Sequence, residues 1–182
     1  MKKFLFATVV IIIILCFTIV LKKWNAEKII PTPVTTFLEC VSVGGVVMGN
    51  YPKQCTYTNQ TFTEKISNNL EKTNLIRLYS PLPNQAIKSP ITVTGEARGY
   101  WFFEASFPVI ITNSDGIEIG HGIAHAKKDW MTEDFVPFEA TIEFKVDKNT
   151  HNNKGTLILK KDNPSGLSKN NNALEVPILL TN

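Results

Sequence analysis

Histidine is scarce in this 182-residue chain, which has only His121, His125 and His151, and no Gly-x-Ser-x-Gly elbow occurs. Nucleophilic catalysis needs a serine or cysteine beside a base and an orienting acid, so no catalytic residue is assigned and an enzyme is not expected. Cysteine is equally sparse, at three. Zinc would need two ligands beyond Cys40 and Cys55, and no histidine lies near them. Acid is missing from the first 23 residues, which carry Lys2, Lys3, Lys22 and Lys23. Set aside those four lysines and the formal charge of +3 becomes a slight acidic excess over the rest. That leaves no basic face to neutralise phosphates, which excludes a nucleic-acid binder.

What is present begins with an uncharged run from Phe4 to Leu21. At 1.5 Å per residue, about 18 helical residues cover a thin hydrocarbon core, so residues 1–23 are expected to anchor the chain in a membrane through residues 4–21. A cleaved signal peptide is the competing reading, although Lys-Lys-Trp-Asn after Leu21 is no small-x-small cleavage site. Either way the body is expected outside the cytoplasm, anchored or secreted. Cys16 falls in the apolar run, leaving Cys40 and Cys55 to form a disulfide around a loop of about 15 residues. Two free buried thiols remain the alternative.

Residues 24–36 hold Ile30-Pro-Thr-Pro-Val and read as an extended stalk. Residues 37–62, with Gly44-Gly45 and Tyr51-Pro52 between the two cysteines, form a module too short to bury a core without a staple. Polar residues 63–74 read as a linker. From Leu75 the hydrophobic period is 2. Phe103, Ala105, Phe107, Val109 and Ile111 share one face of an extended strand, and Val136, Phe138, Ala140, Ile142, Phe144 and Val146 repeat the pattern. With 75–79, 91–97, 117–126, 156–160 and 174–180 that makes seven strands, which predicts an all-β sandwich of two sheets over residues 75–182. Pro108 and Pro177 interrupt two strands and should mark edges or bulges.

The residues Ile76-Arg-Leu-Tyr-Ser-Pro-Leu-Pro, Ser89-Pro-Ile-Thr-Val-Thr-Gly-Glu-Ala, Trp101-Phe-Phe-Glu-Ala, Asp129-Trp-Met-Thr, Phe135-Val-Pro-Phe and Asp162-Asn-Pro-Ser-Gly follow in one order. Over 75–181 they resemble the bacterial spore germination immunoglobulin-like domain. The resemblance implies an immunoglobulin-like β-sandwich of the bacterial envelope with no catalytic residue to carry over. The Cys40 to Cys55 segment is similar to a short cysteine loop of secreted bacterial proteins.

Individual residues give few chemical leads. His121 and His125, four apart on a strand, stand about 13 Å apart, too far to share a metal ion. Glu104 lies near Arg98 in sequence and reads as a structural carboxylate satisfied by that guanidinium or by backbone N–H groups; paired with Glu143 across a cleft, it would instead resemble a glycosidase couple. Asn113-Ser-Asp115-Gly116 reads as a hairpin turn rather than a calcium loop. Tyr100, Trp101 and Trp130 adjoin turn-forming residues and are the candidate contacts for a partner or ligand. The expected function is therefore an envelope-protein interaction module. The second reading is a carbohydrate or peptidoglycan-binding domain that stacks sugars on Tyr100 and Trp130, and an envelope hydrolase comes third. No metal or cofactor is called for.

Overall fold

The computed structural model describes residues 33–49, 51–147 and 152–181. The expected anchor and the first part of the stalk lie outside them. The chain divides into Met1–Thr35 and Thr36–Asn182, and every described strand belongs to the second unit. Among the described residues no helix is long and apolar enough to cross a membrane.

Eleven strands form among the described residues: β1 (Val46–Met48), β2 (Gln54–Tyr57), β3 (Gln60–Thr63), β4 (Ile76–Ser80), β5 (Ala86–Lys88), β6 (Ile91–Arg98), β7 (Ser106–Asn113), β8 (Glu118–Ala126), β9 (Phe135–Phe144), β10 (Lys154–Lys160) and β11 (Ala173–Thr181). All seven strands expected after Leu75 are among them, because their alternating residues find a core: every second residue of β9 from Val136 to Phe144 is buried. The sheet arrangement differs from the expectation. One continuous eight-stranded sheet, in the order β4-β6-β9-β8-β7-β10-β11-β5, curls over on itself, where two separate sheets were expected.

The curl shows in the core. Phe107 on β7 and Phe138 on β9 are not on neighbouring strands, yet their rings meet edge to face at 5.0 Å. Around them one cluster joins Val93, Val109, Ile142, Leu157 and Val176 from both halves of the sheet. The seam is β8, which carries Gly120, Gly122 and Ala124 at alternate positions. A Cβ at Gly120 would stand 2.7 Å from Phe144 Cβ, and one at Gly122 would stand 2.7 Å from Ile142 Cγ1. These bare positions let β9 close against β8, which pairs with it at its two ends and not in the middle, as glycine at a sheet bend allows. Both strand prolines sit at local edges, as expected. Pro108 pairs with Ile123 on β8 but lies one residue beyond the β10 ladder, and Pro177 pairs with Thr156 two residues short of the β5 ladder.

The cysteine module is a helix, Phe37–Ser42, followed by the antiparallel meander β1-β2-β3. Thr36 caps the helix in a reciprocal box with Glu39: Glu39 N–H donates to Thr36 Oγ1 at 3.2 Å and Thr36 N–H to Glu39 Oε2 at 3.0 Å. The disulfide joins Cys40 of the helix to Cys55 of β2, and both residues are fully buried.

The stretch expected to be a linker is instead docked on the sandwich. Ile66 is buried, and a groove of about 530 Å³ separates residues 64–67 from Thr156, Glu175 and Pro177 on the outer face of β10 and β11. Asn68 donates its amide to Ala173 O and accepts from Glu175 N–H, each at 2.9 Å. Glu64, also buried, accepts from Lys53 N–H at 3.3 Å and from the Asn84 amide at 3.2 Å, and so joins the cysteine module to the sandwich. Polar composition concealed this docking because the bonds are made by side-chain amides and a carboxylate to backbone, which no hydrophobic period reports.

Candidate functional site

Antiparallel register brings three connections to one end of the sandwich. Arg98 at the end of β6 faces Phe135 at the start of β9. Ser106 at the start of β7 faces His125 of β8, and Ala126, which ends β8, faces Phe138 of β9. Lys160 at the end of β10 faces Ala173 at the start of β11. The loops 99–105, 127–134 and 161–172 therefore lie together, at the end where immunoglobulin variable domains carry their binding loops.

Loop 99–105 holds the other two. Gly99 N–H donates to Asp134 O at 3.1 Å, Asp162 N–H donates to Trp101 O at 3.1 Å, and Ala126 N–H donates to Ala105 O at 2.8 Å. Gly99 lies so close to loop 127–134 that a Cβ there would collide with the carbonyl oxygens of Trp130 and Thr132. Arg98 fastens the same loop. Its Nε donates to Asn74 O and its Nη1 to Glu133 O, each at 3.1 Å, and its guanidinium lies 4.1 Å from the Phe135 ring centroid, with Arg77 at 3.9 Å from the same ring.

Those bonds account for Arg98, and Glu104 is not its partner. Glu104 is exposed in a two-residue turn in which Phe103 and Ser106 exchange backbone hydrogen bonds. The strand expected from Phe103 accordingly begins at Ser106, and Phe103 is 42% exposed rather than core. The turn sets φ at +49° for Glu104 and +59° for Ala105, where asparagine and glycine are the usual residues. A non-glycine residue in this region costs about 1–3 kcal/mol. Buried Trp101 and Phe102 on one side and Phe107 on the other hold the strained turn in place. No Asn-Gly or Asp-Gly announces it, so the alternation of Phe103, Ala105 and Phe107 extended falsely through it.

Of the three aromatic candidates, the structure separates the roles. Tyr100 is 49% exposed, with Lys161 Nζ 6.0 Å from its ring centroid. Trp101 is fully buried, a correction to its expected role as a contact; its indole N–H has no hydrogen-bond partner among the described residues, and the residue serves to fill the core beneath the loops. Trp130 is half-buried and packs against the core cluster. The sequence pattern missed three exposed neighbours: Phe103, Met131 at 76% exposure and Leu167 at 53%. Met131 and Leu167 adjoin Asp129-Trp130 and Gly166, turn-forming stretches whose apolar members had no strand period to place them inward.

The remaining polar candidates lie apart. His121 and His125 are both exposed on β8, and His121 Nδ1 is 3.3 Å from Glu118 Oε1. Glu143 lies eight residues along β9 from Phe135, about 27 Å of strand from the loop end that holds Glu104, well beyond the spacing of a glycosidase pair, about 5–9.5 Å. No group of three His, Cys, Asp or Glu able to hold a metal ion occurs among the described residues. Asn113-Ser-Asp115-Gly116 forms the expected β7–β8 hairpin turn, with Asn113 Oδ1 accepting from Asp115 and Ile117 N–H.

A family model for the immunoglobulin-like domain of bacterial spore germination matches residues 75–168, just over half of the chain. The match runs from the residue before β4 into loop 161–172, and so includes Tyr100, Phe103, Met131 and Leu167; β11 lies beyond it. No curated protein and no solved structure matches the chain.

Proposed function

The chain belongs to the family of the immunoglobulin-like domain of bacterial spore germination, and from that premise we propose that it is a non-catalytic interaction module of the bacterial cell envelope, tethered by residues 4–21 outside the cytoplasmic membrane, whose loop end binds another envelope protein. The observation that carries this reading is the gathering of Tyr100, Phe103, Met131 and Leu167, all exposed, on three loops fastened to one another by backbone hydrogen bonds. Apolar side chains grouped on a rigid support and rimmed by polar residues are a common form of protein contact surface. The backbone strain at Glu104 and Ala105 supports the same reading, because strained turns tend to persist where they position contact residues. The mechanism is surface complementarity. The body carries almost no net charge, so association depends on shape and aromatic burial more than on long-range steering.

Co-purification from membranes tests the proposal. A partner retained by the wild-type protein should be lost from Met131→Glu and Leu167→Glu, which place a charge in the centre of the contact without touching the core. A partner held equally by wild type and both variants rejects the loop end as the binding surface.

A further inference from the structure

At the base of loop 161–172, beside the apolar surface, lies a pocket of about 300 Å³ lined by Lys160, Lys161, Asn171, Asn172 and Ala173. Its chemistry is one-sided. No carboxylate lines it, and among the described residues neither lysine forms an ion pair. The two amides are already committed on their acceptor side: Asn171 Oδ1 receives the Asn163 amide at 2.8 Å, and Asn172 Oδ1 receives Lys72 Nζ at 2.7 Å. Among the described residues neither asparagine NH₂ group donates a hydrogen bond, which leaves both as donors. Two lysines and two asparagines thus line one small concavity with no carboxylate among its lining residues.

Such a lining is complementary to an oxyanion, whose oxygens accept charge-assisted hydrogen bonds. The pocket is also pre-formed. Lys161 N–H donates to Asn172 O at 2.8 Å across the neck of the loop, and Asn163, Ser165 and Asn170 bond to one another within it. Beside it the Tyr100 ring stays half exposed near Lys161, a flat face of the kind that sugar C–H groups stack on. We infer that this pocket is a binding site for an acidic saccharide, its carboxylate or phosphate held by Lys160, Lys161 and the two amides while the sugar ring lies against Tyr100. A protein carboxylate would satisfy the donors but would bring no such ring, and a neutral sugar would leave both ammonium groups unmatched. The site shares Tyr100 with the apolar contact surface, but its polar residues, Lys160, Lys161, Asn171 and Asn172, are not members of that surface.

Calorimetric titration of the full-length protein tests the inference with four probes: a galacturonate tetramer, glucose 6-phosphate, neutral maltotetraose and a tetraglutamate peptide. One or both acidic sugars should bind saturably, and the tighter of the two identifies the anion as carboxylate or phosphate. Maltotetraose and tetraglutamate should bind at least about tenfold more weakly. Asn171→Asp keeps the oxygen that Asn163 needs but exchanges the donor for an anion, and with Lys160→Gln it should weaken acidic-sugar binding by about tenfold without moving the unfolding midpoint. Tyr100→Ala should weaken the sugars, whereas Met131→Glu should leave them bound as in wild type. Equal binding of maltotetraose or tetraglutamate, wild-type affinity in Asn171→Asp and Lys160→Gln, or no heat with either acidic sugar overturns it.

Discussion

Replacing Gly99 by alanine should disassemble the loop end while leaving the sandwich folded. The added Cβ meets the carbonyl oxygens of Trp130 and Thr132, and because both are backbone atoms no rotamer change can relieve the collision. Loop 127–134 must move, at an overpacking cost of about 1–3 kcal/mol. Its displacement also breaks the bonds from Gly99 N–H to Asp134 O and from Arg98 Nη1 to Glu133 O, worth about 1 kcal/mol each or somewhat more for the charged donor. A total of about 3–5 kcal/mol lowers a urea midpoint by about 1.5–2.5 M at a denaturant slope of about 2 kcal/mol per molar. Gly49→Ala is the matched control, since a Cβ there meets nothing within 4 Å, and it should stay within about 0.5 kcal/mol of wild type. Urea unfolding followed by tryptophan fluorescence reads both, and Trp130 reports the loop directly. If Gly99→Ala and Gly49→Ala unfold at the same urea concentration, the close approach that joins the loops is not a structural requirement.

Mass spectrometry of unreduced protein should find Cys40 joined to Cys55, and replacing both by serine should lower stability by about 3 kcal/mol for a loop of this length; two free thiols in the native protein would contradict the assignment. A chain starting at Leu75 loses Ile66 and both Asn68 bonds to β11, and should fold with at least about 4 kcal/mol less stability than one starting at Thr36, counting only those two of the lost hydrogen bonds and one buried isoleucine. Equal midpoints would mean that residues 63–74 are a passive linker after all. Tyr51 has its phenol raised above the ordinary value of 10.0, chiefly by burial and then by the Glu64 carboxylate, with the Asn69 hydrogen bond acting the other way. A raised pKa favours the neutral phenol in the folded state, so its contribution is complete below about pH 10 and is lost as pH rises through the folded value. Tyr51→Phe should flatten that alkaline loss of stability, and an unchanged alkaline slope in the variant would refute this.

How far the sequence could be read depended on which force shapes each element. The seven long strands were legible because burial of alternate residues imposes a period of 2, seen without interruption from Val136 to Phe144. Strand β5 was not, since three residues pairing in parallel with β11 leave no pattern of their own. The single curled sheet was missed although its cause lies in the chain: Gly120, Gly122 and Ala124 alternate along β8, but small residues on one strand face look like weakness until their neighbours are known. At the candidate site, Tyr100 emerged from its turn-like setting and proved exposed, while Trp101, one residue on, points into the core. Both lie in a single 3-10 turn, Gly99–Trp101, and adjacent residues of such a turn face different directions. Glu104 was read as a structural carboxylate satisfied by Arg98 or by backbone N–H groups, whereas the Arg98 guanidinium bonds the carbonyls of Asn74 and Glu133, distant in sequence.

The most direct test of the interaction reading is site-specific photo-crosslinking in intact cells. A photoreactive residue is placed in turn at Tyr100, Met131 and Leu167 on the loop end, and at Thr92 and Thr141 on exposed positions of β6 and β9. The three loop positions should capture one and the same envelope protein, and the two strand positions should capture none. Adducts from Thr92 or Thr141 alone, or no common adduct from the loop positions, would contradict the reading.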